Sequence, residues 1–180
     1  LEETISYFRA SGAQARLATA FDRLGRAHWG RGDLPRAEEA FEQMLFAAQQ
    51  VGDPVAAAYA QIRLCGVHLD GGLTAAAAQH CRAATEGLAA QRSFDAEEGR
   101  ILRAYRGRIA LAAARPAEAV TELDASLAGN AAELSRDLRA QIHLWRSEAL
   151  AAVGRHADAY ADLQEHLERL RIQNAAQTAT

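Results

Sequence analysis

Four short stretches of the chain resemble one another and recur at nearly constant intervals: Gly-Asp-Leu-Pro-Arg-Ala (32–37), Gly-Leu-Thr-Ala-Ala-Ala (72–77), Ala-Arg-Pro-Ala-Glu-Ala (114–119) and Gly-Arg-His-Ala-Asp-Ala (154–159). Their closing alanines, Ala37, Ala77, Ala119 and Ala159, stand 40, 42 and 40 residues apart. Periods of roughly 20–50 residues mark stacked repeats. A unit of that kind cannot bury its apolar face alone and packs on its neighbours, which makes an extended surface rather than a deep pocket. The period therefore argues for an architecture that holds something rather than one that transforms it.

Composition narrows the unit to helices. The chain is 49% hydrophobic, much of that alanine, with only three prolines. Alanine is the strongest helix former and lets helices approach closely. The basic residues are all arginine, and the net charge is −3. That balance argues against a general nucleic-acid surface. No apolar run reaches the ~18 residues that span a membrane, and no signal peptide opens the chain. Leu1 in place of a start methionine suggests an excised or processed segment. Cytoplasmic location is the default expectation.

Apolar periodicity between the breakers predicts helices over about 2–10, 13–30, 35–50, 54–69, 74–90, 96–113, 116–128, 131–152 and 156–174. Gly30, Gly32, Gly52, Gly71-Gly72 and Gly154 fall at the stops. Pro35, Pro54 and Pro116 fall in first turns, where a missing N–H costs nothing. Asp53 is placed to cap. Asp95 with Glu98 and Asn130 with Glu133 read as capping boxes. Ala175–Thr180 is expected to fray.

The units resemble the tetratricopeptide repeat, which pairs two antiparallel helices. Residues 18–50 carry the best match: Phe21, Leu24-Gly25, Gly32-Asp33, Ala37 and Phe41, with Met44 departing from the usual alanine. The second unit keeps Gly66, Ala77 and Ala84, with Cys81 in the aromatic slot. The third keeps Gly107, Ala119 and Leu123, and the fourth keeps Gly154, Ala159 and Leu163, with Ser147 replacing the glycine. The longer period is similar to that of bacterial signalling regulators and some motor light chains. The resemblance implies an all-α, right-handed solenoid of antiparallel helix pairs in a single domain: a half-repeat at 1–12, repeats at 13–52, 53–93, 94–129 and 130–174, and a tail at 175–180. Gly25, Gly66 and Gly107 would mark close helix crossings.

In that geometry the first helix of each unit lines a concave groove. The groove residues are then Asp22, Arg26 and Trp29; Arg63, Val67 and Asp70; Ala104, Arg108 and Leu111; and Leu144, Glu148 and Ala151. Three arginines facing one trough suit an acidic protein or peptide, and Trp29 suits an aromatic anchor. In the competing arrangement the arginines pair with Asp22, Asp70 and Glu148 and simply solvate the groove. The lysines and asparagines of the family's carboxylate clamp are missing there, so the acidic tails of large chaperones are not expected partners.

Cys65, His68, His80 and Cys81 have zinc-type donors. However, both cysteines fall on packing positions, and His80 and Cys81 point about 100° apart, so no metal is expected. A disulfide between the facing Cys65 and Cys81 slots is the more plausible of the two. No Gly-x-Ser-x-Gly, phosphate loop or His-Glu-x-x-His is present. His143, His156 and His166 read as isolated, and Asp158 with Asp162 as ordinary surface carboxylates. The chain is expected to be a non-enzymatic scaffold without cofactor, binding a protein or peptide, with neither nucleic acid nor membrane as partner. Exposed solenoid ends (Leu1, Ile5 and Phe8; Tyr160 and Leu163) allow a homo-oligomer. The alternative is a sensory segment of a larger bacterial signalling protein, such as a nucleotide cyclase, kinase or transcription regulator.

Overall fold

A computed structural model describes residues 2–10, 12–89, 96–128 and 134–178. The described residues form helices and turns without a strand: α1 (Glu2–Ala10), α2 (Gln14–Trp29), α3 (Leu34–Gln50), α4 (Pro54–Asp70), α5 (Thr74–Ala89), α6 (Ala96–Ala112), α7 (Pro116–Leu127), α8 (Arg136–Ala152) and α9 (His156–Thr178). They group into two compact units, Leu1–Phe94 and Asp95–Thr180. In the first, α1 packs on α2, α2 on α3, α3 on α4 and α4 on α5. In the second, α6 packs on α7, α7 on α8 and α8 on α9.

The recurring motifs are four copies of one turn. Their first residues, Gly32, Gly72, Ala114 and Gly154, all have left-handed backbone, with φ of 76°, 75°, 55° and 81°. In each turn the next N–H reaches back five residues to the end of the preceding helix. Asp33 donates to the His28 carbonyl at 3.0 Å, Leu73 to His68 at 2.8 Å, Arg115 to Ala110 at 2.9 Å and Arg155 to Leu150 at 2.8 Å. This satisfies carbonyls that a helix end would otherwise orphan. Glycine takes the left-handed conformation freely; Ala114 bears a cost of about 1 kcal/mol for it.

Starts are set by caps. Asp33 accepts from the Arg36 N–H at 3.4 Å, and Asp53 from Val55 and Ala56 at 3.1 and 3.0 Å. Helix α8 begins at Arg136, five residues later than expected, with Ser135 accepting from the Leu138 N–H at 3.2 Å. The Asn130–Glu133 box and Asp95 of the other box lie outside the described residues. Helix α9 runs to Thr178, past the predicted end at 174.

Closing alanines Ala37, Ala77 and Ala119 are fully buried, and Ala159 nearly so. They let each second helix approach its first. The reciprocal contact is visible at Gly25, where a Cβ would meet the Phe41 ring at 2.5 Å, and at Gly107, where it would meet Leu123 at 2.6 Å. Phe41 and Leu123 are the knobs of their pairs. In the α4–α5 pair the equivalent position is Cys81, too small for that role. There a Cys65–Cys81 disulfide joins the helices, with Cα atoms 5.5 Å apart. Closing a loop of this 16-residue separation contributes about 3 kcal/mol on chain-entropy grounds. No helix among the described residues is long and apolar enough to cross a membrane.

Candidate binding cleft

In the first unit, α2, α3 and α4 line a cleft of about 220 Å³, with Met44 and Ala48 contributed by α3 and the α3–α4 turn alongside. Thr19 and Asp22 come from α2, Tyr59 and Arg63 from α4, and Val51 and Asp53 from the turn. The α2 residues sit there because Leu17, Ala18 and Phe21 turn into the core and hold the helix in register. Asp22 accepts from Arg63 Nε at 3.2 Å and lies 3.8 Å from Arg26. The Arg63 side chain is 15% exposed, whereas that of Arg26 is 64% exposed. One carboxylate thus braces the inner arginine and loosely holds the outer one.

Trp29 is half-buried. Its indole N–H donates to Asp70 at 2.7 Å, and its ring meets Phe41 edge-on at 6.1 Å. It therefore ties α2 to the end of α4 and is not an open aromatic anchor. Val67 is 2% exposed and belongs to the core, not to a groove. The residues Leu64–Leu69 of α4 are all buried, because α3 and α5 cover this central helix. Asp70 is exposed.

In the second unit, Arg108 lies over the Trp145 ring at 5.1 Å, a cation–π contact. Leu111 and Leu144 are half-buried, and Glu148 and Ala151 are exposed. Ala104, expected in the groove, is fully buried among the α6 packing residues. Arg26 and Arg63 lie in the first unit and Arg108 in the second, so the described geometry supports a cleft in the first unit.

A polar cluster that local sequence pattern does not reveal is centred on Asp162. Asp162 is buried, not a surface carboxylate. Arg146 grips both its oxygens, Nε to Oδ2 at 2.5 Å and Nη2 to Oδ1 at 2.6 Å, and donates to Asp124 at 2.9 Å. His143 Nδ1 meets Asp162 Oδ1 at 2.9 Å, so His143 is not isolated. His166 is buried and donates to the Ala140 carbonyl at 2.7 Å, whereas His156 is exposed. Burial pushes the Asp162 carboxyl up, but the hydrogen bonds and charges of Arg146 and His143 override it and hold it below the usual carboxylate range.

Beside the disulfide, His68 Nε2 meets Glu38 at 2.7 Å, and His80 donates from Nδ1 to Gln61 at 2.6 Å. The two rings are 4.8 Å apart. Burial and the neighbouring His68 lower the His80 pKa below its ordinary 6.5, against a smaller opposing pull from Glu38. The cysteine sulfurs are bonded to each other, and no group of three or more metal-donor side chains among the described residues is placed to hold an ion.

These shifts order acid unfolding. The unfolded chain takes up a proton at His80 near pH 6.5 and the folded chain only below that, so stability present above 6.5 is lost between 6.5 and the lowered value. Asp162 contributes above 3.8 and loses its contribution only below that. Trp29 and Trp145 report on separate units. In single-tryptophan variants, we expect the Trp29 signal to weaken first on acidification and the Trp145 signal to hold until the more acidic range.

No family model and no curated protein matches the chain. Among solved structures, it is similar to BtubC (BKLC) from P. vanneervenii, with a TM-score of 0.67 at 16% identity over 89% of this chain. The chain spans 66% of the BtubC length. The likeness is one of all-helical fold.

Proposed function

We propose that the chain is a non-catalytic scaffold that holds a protein or peptide segment in the α2–α4 cleft. Its helices then form antiparallel pairs stacked as a right-handed, tetratricopeptide-like solenoid. The four identical turns and the sequential packing of neighbouring helices support that reading. The observation that carries the function is the cleft itself, lined by α2 and α4 with the buried Met44 and Ala48 of α3 and bridged by the Asp22–Arg63 pair. At about 220 Å³ it is smaller than the ~300–1,000 Å³ of sites for whole small ligands. It suits one or two side chains of an extended partner.

The partner is acidic in this proposal because the Arg26 side chain is mostly exposed and stands beside Asp22, which lines the cleft. A partner carboxylate competes there with Asp22, which holds Arg26 only loosely. Fluorescence polarisation against a library of acidic peptides should yield binders, and Arg26→Ala with Arg63→Ala should weaken them about tenfold or more, or ~1.4 kcal/mol. Arg115→Ala, in the second unit, should not. Unchanged affinity in the double variant overturns the cleft as the binding site. Disulfides form in oxidising compartments and are rare in the cytosol, so the Cys65–Cys81 bond weighs against the default cytoplasmic expectation.

A further inference from the structure

A second polar feature stands apart from the cleft, in the second unit. Helices α8 and α9 are fixed against each other where His166 donates to the Ala140 carbonyl at 2.7 Å. Arg139, in the first turn of α8, and Arg169, one turn beyond Glu165 on α9, flank that contact. Arg169 pairs with Glu165. The Nε atoms of both arginines are buried, and neither meets a hydrogen-bond acceptor among the described residues. Two buried N–H donors without acceptors in one place are unusual, since such groups are nearly always paired in folded proteins.

Charge points the same way. Glu165 pairs with Arg169, and the charges of both reach Arg139. Burial and the Arg169 charge lower the Arg139 pKa from its ordinary value, with Glu165 opposing. Each arginine offers an Nε and terminal N–H groups in a planar fork, the geometry that grips a carboxylate or phosphate with two parallel hydrogen bonds. An anion between the forks would give both buried Nε–H groups an acceptor and relieve the like-charge repulsion at once.

We infer that Arg139 and Arg169 form an oxyanion site between α8 and α9, which takes a phosphate or carboxylate group. The site is independent of the α2–α4 cleft, and Glu165 tunes it by competing for Arg169.

The test titrates the whole chain with inorganic phosphate and, separately, with acetate, each against sodium chloride at matched ionic strength. Arginine Nε–H resonances and thermal midpoint are the readouts. The Nε–H signals of Arg139 and Arg169 should shift saturably, and the midpoint should rise by about 2–4 °C near saturation. Arg139→Gln should abolish both effects while leaving the anion-free midpoint equal or higher, because one of two repelling charges is gone. Glu165→Gln should do the reverse: a lower anion-free midpoint and about tenfold tighter anion binding. Arg155→Gln, on the exposed Arg155–Asp158 pair, should change neither. A response to phosphate alone identifies a phosphate source, and a response to acetate a carboxylate source. No anion-specific shift at either Nε, or an equal response in Arg139→Gln, overturns the site.

Discussion

Asp162→Ala should destabilise the second unit by about 3–5 kcal/mol, among the largest effects of any single substitution in the chain. The carboxylate is buried and accepts from both Arg146 and His143. Its removal leaves a half-buried guanidinium whose remaining partner among the described residues is the exposed Asp124. The loss is that of an abandoned charge and not the net value of the ion pair. Replacing both partners, Asp162→Leu with Arg146→Met, should therefore recover most of it, since well-packed apolar replacements of buried pairs are often neutral or better. Denaturant unfolding followed by Trp145 fluorescence in a Trp29→Phe background measures both variants. A double variant as unstable as the single one would show that the cluster contributes more than this accounting allows.

Gly25→Leu should cost the first unit about 3 kcal/mol, the upper end of overpacking penalties. A Cβ alone would stand 2.5 Å from the Phe41 ring, and Phe41 is fully buried with no room to retreat. Gly87→Ala makes the contrast. Its Cβ would meet only the Ala58 methyl at 3.4 Å, an ordinary contact. There the helix gains about 0.5–1 kcal/mol from replacing glycine. Two glycines in helices of one unit thus respond with opposite signs, and Trp29 fluorescence in a Trp145→Phe background reads both. A stabilising Gly25→Leu would show that α2 and α3 do not cross closely at Phe41.

The parts of the fold that were legible in the sequence are those in which one residue must meet a local conformational demand. Left-handed turn positions demand glycine at Gly32, Gly72 and Gly154, and first-turn positions tolerate Pro35, Pro54 and Pro116. These placed eight of the helix starts and stops closely. Close crossings demand a residue without a Cβ, which made Gly25 and Gly107 readable. The facing of Cys65 and Cys81 followed from the same register.

What escaped depends on three-dimensional neighbours. Val67 and Ala104 lie on the side of their helices that a simple first-helix rule assigns to a groove, yet further helices cover them. Trp29 was expected as an anchor but spends its N–H on Asp70, 41 residues away. Asp162 resembled any helical carboxylate until the α8–α9 register brought Arg146 and His143 to it. The start of α8 was misplaced because Asn130 and Ser135 both suit a cap, and local pattern does not choose between them.

A partner held in the proposed α2–α4 cleft would perturb that cleft before any other surface. Amide and side-chain chemical-shift mapping of the chain with a bound acidic peptide tests it most directly. The largest changes should fall at Thr19, Asp22, Tyr59 and Arg63. Changes concentrated on the outer faces of α3 and α5, at Glu39, Glu42 and Arg82, with the cleft residues unmoved, would contradict it.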